Sequence, residues 1–274
     1  MSDKQNMRAY DRVRIARSNT RPTSAQYIKG LFTDFIELHG DRCFGDDPAV
    51  VGGLAWLDDI CVTVIALEKG ENVRERIRHN FGAANPEGYR KAIRLMQQAE
   101  KFGRSVICLV DTSGAYCGIE AEERGQGAAI AQSITTMLGL RVPTLSILIG
   151  EGGSGGALAL AAASEVWMLE NAVYSVISPE GCASILWKDA GKAAEAAQSL
   201  KLTAEDAKRL GVVDRIISEE NLGKDEFFAS LKRDIRERIV GMQALPAPLL
   251  LERRYGRFRA LGLSNIRTNN GGLS

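Results

Sequence analysis

The chain has 274 residues, 45% hydrophobic and 25% charged, with a formal net charge of +1. That length and balance can bury a core in one large domain or two small ones, and the near-neutral charge gives no global basis for nucleic-acid binding. No apolar run is long enough to span a bilayer, and the basic stretch from Met1 to Arg21 lacks the apolar segment of a secretory leader, so a cytoplasmic protein is expected.

In chain order, residues 1–22 are polar and Arg-rich and read as an N-terminal arm or partner contact. Ser24 is placed as the cap of a helix whose apolar face carries Tyr27, Ile28, Leu31, Phe32, Phe35 and Ile36. Val50 to Trp56 and Ile60 to Leu67 read as strands around the turn Leu57-Asp58-Asp59, and a helix follows from Glu87 to Phe102. Ser105 to Val110 is an apolar strand that ends at Asp111. The loop Asp111 to Gly118 leads to a helix near Glu122 to Leu138, then to a strand from Val142 to Ile149. A glycine run comes next, then a short helix from Ala157 to Ala163 and a strand from Glu165 to Leu169. Residues 179–210 read as mostly helical, with Thr203-Ala204-Glu205-Asp206 as a capping signal. Val212 to Ile217 is expected as a last strand and Asp225 to Met242 as a charged amphipathic helix. Apolar strands between helices indicate an α/β fold with sheets covered on both faces. One domain is expected over 23–245, and 246–274 reads as a basic, turn-rich tail, partly disordered.

The run Gly150-Glu151-Gly152-Gly153-Ser154-Gly155-Gly156 lies between a strand and a helix. Glycine there lets a ligand approach backbone N–H groups at the positive end of a helix. A tight turn that only packs helix on strand would need fewer glycines. Three functional readings compete with it. Gly150, Gly152 and Gly155 satisfy G-x-G-x-x-G with Glu170 twenty residues on, but the following segment is short for a parallel crossover. Gly152 to Gly156 satisfies G-x-S-x-G, yet the two histidines, His39 and His79, both precede Ser154, and His79 reads as a solvated surface residue. An oxyanion hole built from backbone amides needs neither base nor nucleophile and is the preferred reading. The five cysteines include no C-x-x-C pair, so no metal site is expected in this chain, and their odd number fits reduced thiols.

Long stretches resemble the carboxyltransferase α subunit of bacterial acetyl-CoA carboxylase. They are Phe35 to Arg42, Pro86 to Lys91, Ala121 to Gln126, the glycine run, and above all Tyr174 to Lys188. The resemblance covers roughly Arg21 to Ile217. It implies a crotonase-like ββα spiral with flanking helices, and a role in transferring the carboxyl group of carboxybiotin to acetyl-CoA to give malonyl-CoA, the first committed step of fatty acid synthesis. It also implies a β-subunit partner that bears a zinc ribbon, a biotin carboxyl carrier protein, a biotin carboxylase and an α2β2 assembly with its active site at the α–β interface. By resemblance, Gly155 and Gly156 form the hole for the ureido oxygen of biotin. Gly114, Ala115, Tyr116, Gly152 and Gly153 are assigned to substrate binding, and Arg90 and Lys91 are candidates for the CoA phosphates or a carboxylate. Tyr174 to Lys188 is expected as a buried segment near the interface. The family usually has proline where this chain has Ser113 and Cys117, which should loosen the loop. Ala66-Leu67-Glu68-Lys69-Gly70 and Gly82 to Asn85 depart from its pattern as well. Two alternatives stand beside this reading: another crotonase-fold acyl-CoA enzyme using a carboxylate such as Glu151, and a non-catalytic paralogue.

Overall fold

The computed structural model describes residues 8–262. Its elements in chain order are α1 (Ala9–Ala16), α2 (Ser24–Leu31), β1 (Thr33–Glu37), β2 (Val50–Leu57), β3 (Ile60–Leu67) and α3 (Val73–Arg78). Then come α4 (Pro86–Lys101), β4 (Ser105–Thr112), α5 (Ile119–Glu123), α6 (Gln126–Gly139), β5 (Thr144–Gly153), α7 (Ser154–Ala161), β6 (Glu165–Leu169) and β7 (Val173–Ser175). The chain continues through α8 (Pro179–Trp187), α9 (Ala193–Leu200), α10 (Ala204–Arg209), β8 (Arg215–Ile217), α11 (Asp225–Gln243) and α12 (Ala247–Ala260).

The strands form one sheet in the order β1-β2-β3-β4-β5-β6-β8, with β7 pairing the far end of β5. The pairs β1–β2 and β2–β3 are antiparallel, and every pair from β3 onward is parallel. All eight residues of β4 are buried. Because successive side chains point to opposite faces, helices must cover both sides there. Helices α4, α6 and α7 pack on one another and on β2 to β5, while α2 packs on β3, β4 and α11. Ile107, Leu109, Leu145, Ile147 and Leu148 are fully buried at the centre, each worth about 1.5–3 kcal/mol against exposure.

Several sequence expectations change. Thr23, not Ser24, is the N-cap of α2, and the Gln26 side chain accepts its N–H. Ser24 instead donates to the Leu67 carbonyl. That helix ends at Leu31, and Phe35 and Ile36 belong to β1. The helix expected over 122–138 is two, parted at Gly125, whose φ of +82° suits glycine. The last strand shortens to Arg215–Ile217, and β7 gave no usable sequence signal. Parallel neighbours β5 and β6 are joined by α7 and three further residues, so the connection does suffice for a crossover.

Residues 9–16 form a helix whose Ala9, Val13 and Ala16 are buried with Val173, Ala197 and Leu202. Within 246–262 lies α12, not a turn-rich stretch; residues 263–274 lie outside the described residues. Arg254 of α12 is 1% exposed and donates to the carbonyls of Met137, Leu138, Leu140 and Val142, which satisfies the C-terminal end of α6 and its connection. Burial pulls its guanidinium down to about 10. Among the described residues, no helix is long and apolar enough to cross a membrane.

Candidate functional site

The glycine run is not a loop. Gly150 to Gly153 continue strand β5, and Ser154, Gly155 and Gly156 are the first turn of α7. The chain turns from strand to helix in one step at Ser154, whose φ of +52° is a left-handed conformation that side chains seldom adopt. No side chain caps α7, so its first-turn N–H groups have no partner within the helix or from a cap.

A second segment closes on this turn. After β4, the loop Ser113 to Gly118 is folded by Thr112, whose hydroxyl accepts the Gly114 N–H at 3.1 Å and donates to the Gly114 carbonyl at 2.8 Å. Tyr116 N–H donates to Ala84 O, and Gln126 Nε2 donates to both Ala84 O and Tyr116 O, which pins the loop to the start of α4. The loop lies directly against the glycines. A Cβ on Gly153 would stand 2.1 Å from Ser113 O, and one on Gly156 would stand 2.5 Å from the Ala115 nitrogen and 2.8 Å from the Tyr89 hydroxyl. Glycine is required at both positions by backbone approach. The Ala115 N–H has no acceptor among the described residues. Gly114 and Ala115 therefore meet Gly153 and Gly156, whereas Gly152 faces Leu148 and Tyr174 and Gly155 faces Ile130. Beside this meeting opens an apolar cleft of about 300 Å3 lined by Ser154, Gly155, Leu158, Tyr174, Val176 and Val212.

Behind the glycines sits a charge chain that the sequence did not reveal. Asp111 accepts the Glu151 N–H at 2.8 Å and meets Lys69 Nζ at 2.7 Å. Lys69 also meets Glu151 at 3.0 Å, and Arg17 meets Glu151 at 2.7 Å and Glu180 at 2.8 Å. Burial opposes ionisation of Glu151, yet Lys69 and Arg17 overcome it and hold its pKa below the usual carboxylate value. Burial likewise works against charge on Lys69, but Asp111 and Glu151 raise its pKa. Glu151 is thus a locked anion, not a poised proton carrier.

Arg90 and Lys91 engage none of the glycine-run residues. Arg90 holds Asp41 at 2.7 Å, and Lys91, fully buried, meets Asp46 at 2.5 Å and the Asp47 carbonyl at 2.8 Å. The ring of Tyr116 folds back onto Gly118. Ser154 is exposed at a strand–helix turn, as a nucleophile would be. Neither histidine supports it: His39 Nδ1 pairs with Asp46, and His79, only partly exposed, has Nδ1 against Pro48 O. The acid of the dinucleotide pattern, Glu170, lies 3.9 Å from Arg12. Tyr89 was visible only as one letter of a resembling string; its place beneath Gly156 is set by tertiary contacts.

A family model described as acetyl co-enzyme A carboxylase carboxyltransferase-like matches residues 2–262. The chain is 58% identical over 257 residues to an acetyl-coenzyme A carboxylase carboxyl transferase subunit alpha of Ruminiclostridium cellulolyticum, covering 94% of this chain and 99% of that one. It is 55% identical over 257 residues to the subunits beta/alpha protein of Natranaerobius thermophilus, covering 92% of this chain and 42% of that one. Among solved structures, a Pseudomonas malonate decarboxylase hetero-tetramer in complex with coenzyme A matches with a TM-score of 0.68 at 16% identity, covering 89% of this chain and 98% of that one. Transcarboxylase 12S matches at 0.66 and 18%, covering 80% of this chain and 42%, under half, of that one. At these identities the structures establish the fold, which is crotonase-like.

Proposed function

The chain belongs to the acetyl-CoA carboxylase carboxyltransferase α-subunit family, and from that membership we propose that it helps transfer a carboxyl group from carboxybiotin, carried on a separate protein, to acetyl-CoA, giving malonyl-CoA. The observation that carries the mechanism is the meeting of the uncapped first turn of α7 with the unpartnered Ala115 N–H. These donors suit one oxygen atom that gains negative charge. They are fixed before the reaction, so no reorganisation is needed when the charge appears.

Carboxybiotin supplies CO2 and, at its ureido nitrogen, the base for the acetyl methyl proton, which fits a site with no free histidine or poised carboxylate. The chain's own residues do the rest. Gly155, Gly156 and Ala115 hold the ureido oxygen through N–H groups. Gly152, Gly153 and Gly114 keep side chains out of the approach, and the apolar cleft beside Gly155 takes the less polar part of the ligand. Holding two reactants in register can supply a large part of the rate, about 7–11 kcal/mol at best. Arg90 and Lys91 support the walls of the site, their charged groups being held by Asp41 and Asp46, and the backbone of Tyr116 is tied to Ala84 and Gln126.

A β subunit completes the site and binds the acyl-CoA enolate. The Natranaerobius relative, whose name joins beta and alpha, supports such a partnership. An α2β2 assembly, served by a biotin carboxyl carrier protein and a biotin carboxylase, is the proposed setting. The cytoplasm is the proposed compartment, in keeping with five unpaired cysteines. A hydratase-type reaction on the same fold would need Glu151 to exchange protons, and its two cations oppose that.

The test is the reverse reaction, malonyl-CoA plus a free biotin derivative giving acetyl-CoA, with this chain alone and with the β subunit from the same source. Turnover only in the mixture is expected. A stable complex without turnover would contradict the catalytic reading.

A further inference from the structure

The Tyr89 side chain is fully buried on α4, and its hydroxyl has no hydrogen-bond partner among the described residues. Such a group loses its water and gains nothing in exchange, so it weakens the fold unless something else uses it. Its position is specific. The hydroxyl and the Ala115 nitrogen lie 2.8 Å and 2.5 Å from the point where a Gly156 Cβ would stand. The unpartnered hydroxyl therefore sits beneath the meeting of α7 with the 113–118 loop. Burial, and then the charge of Asp47, raise its pKa far above the usual tyrosine value, so it carries its proton at any working pH. With no acceptor to fix it, the O–H bond is free to turn its positive end toward charge developing above it.

We propose that Tyr89 is a positioning residue of the transfer reaction, its hydroxyl dipole and ring setting the spacing and the potential of the oxyanion hole made by Ala115 and the first turn of α7. The inference rests on the carboxyltransferase reading above. The dipole acts through a dry interior, where a low dielectric strengthens it, and needs no contact with the ligand. The ties from Ala84 and Gln126 to Tyr116 keep the loop seated against α7, beside that hydroxyl.

Tyr89→Phe removes one oxygen with no partner and leaves the ring. In the complex with the β subunit, kcat of the reverse reaction is expected to fall about tenfold, less than the roughly 100- to 1,000-fold loss of a donor that touches the oxyanion. KM for malonyl-CoA stays unchanged, and the melting temperature of the chain is equal or higher. A merely structural hydroxyl would move stability and leave kcat alone. Tyr89→Leu, which removes the ring, is expected to lower both kcat and melting temperature. A Tyr89→Phe enzyme with kcat within twofold of the parent, beside an active parent, overturns the role of the hydroxyl. An inactive parent in the same mixture overturns the underlying reading instead.

Discussion

A Cβ on Gly156 would stand 2.5 Å from the Ala115 nitrogen and 2.9 Å from the Gly114 carbonyl carbon, whereas a Cβ on Gly155 would meet only Ile130, at an ordinary 3.4 Å. A side chain at 156 would do more than enter the anion site. The geometry says it would strike the loop that forms the other wall of the site. Gly156→Ala is therefore expected to cost about 1–3 kcal/mol in stability as well as turnover, while Gly155→Ala, at a helical position, stays within about 1 kcal/mol of the parent. Thermal melting of the two variants checks the contrast; equal stability would contradict it. Both glycines belong to a run that reads as a candidate anion site, because five glycines in seven residues leave few other uses. What the run could not disclose was which wall faces it, since Ala115 lies some forty residues earlier and only the sheet brings it there.

Loop 39–47 shows the same limit at the scale of an element. Arg90 and Lys91 read as candidates for the CoA phosphates or a carboxylate, and the partners the fold gives them, Asp41 and Asp46, lie more than forty residues away. Burial opposes ionisation of Asp41, but Arg90 and the N–H groups of Cys43, Phe44 and Gly45 overcome it and hold the carboxyl down to about 2. Asp46 is also held at about 2, against burial, by Lys91 and the Gly40 N–H. Carboxyls whose pKa is lower in the folded state stabilise it above their unfolded value, near 3.9, and lose that contribution as pH falls toward 2. The melting temperature is expected to drop steeply below about pH 4. Asp41→Asn should be less stable at pH 7, by about 1–3 kcal/mol for a charged hydrogen-bonding group, and should lose less on acidification. A parallel fall in both proteins would count against this origin. Strands β3, β4 and β6 were readable from apolar runs alone, whereas α2 was carried too far because Phe35 and Ile36 continue a helical spacing while sitting on an edge strand.

At the scale of the whole molecule, the most specific resembling segment, Tyr174 to Lys188, was expected to be buried. In this single chain Val176 is 73% exposed, Ile185 61% and Leu186 62%, with only Pro179, Cys182 and Ala183 of α8 buried. Apolar side chains grouped this way suit a surface that another subunit covers, and sequence alone cannot separate that from a core helix, since both select the same residues. Leu186→Asp should leave the stability of the isolated chain within about 0.5 kcal/mol of the parent, as surface changes do, yet weaken co-elution with the β subunit. Unimpaired co-elution would move the partner surface elsewhere. The overall architecture was legible through family resemblance and alternating apolar strands. The helix α1 was not, because its buried residues are mostly small and its fixing contacts, Arg12 to Glu205 and its C-cap Arg17 to Glu151, run to elements far along the chain.

The central claim is that backbone N–H groups hold the charge, and one atom decides it. Replacing Ala115 by lactic acid turns its amide into an ester, which removes an N–H that has no partner among the described residues and only weakens the Gly114 carbonyl as acceptor of the Thr112 hydroxyl. With the β subunit present, kcat of the reverse reaction should fall about 100- to 1,000-fold, with KM little changed and the fold intact. An ester-bearing enzyme with full kcat would contradict the account.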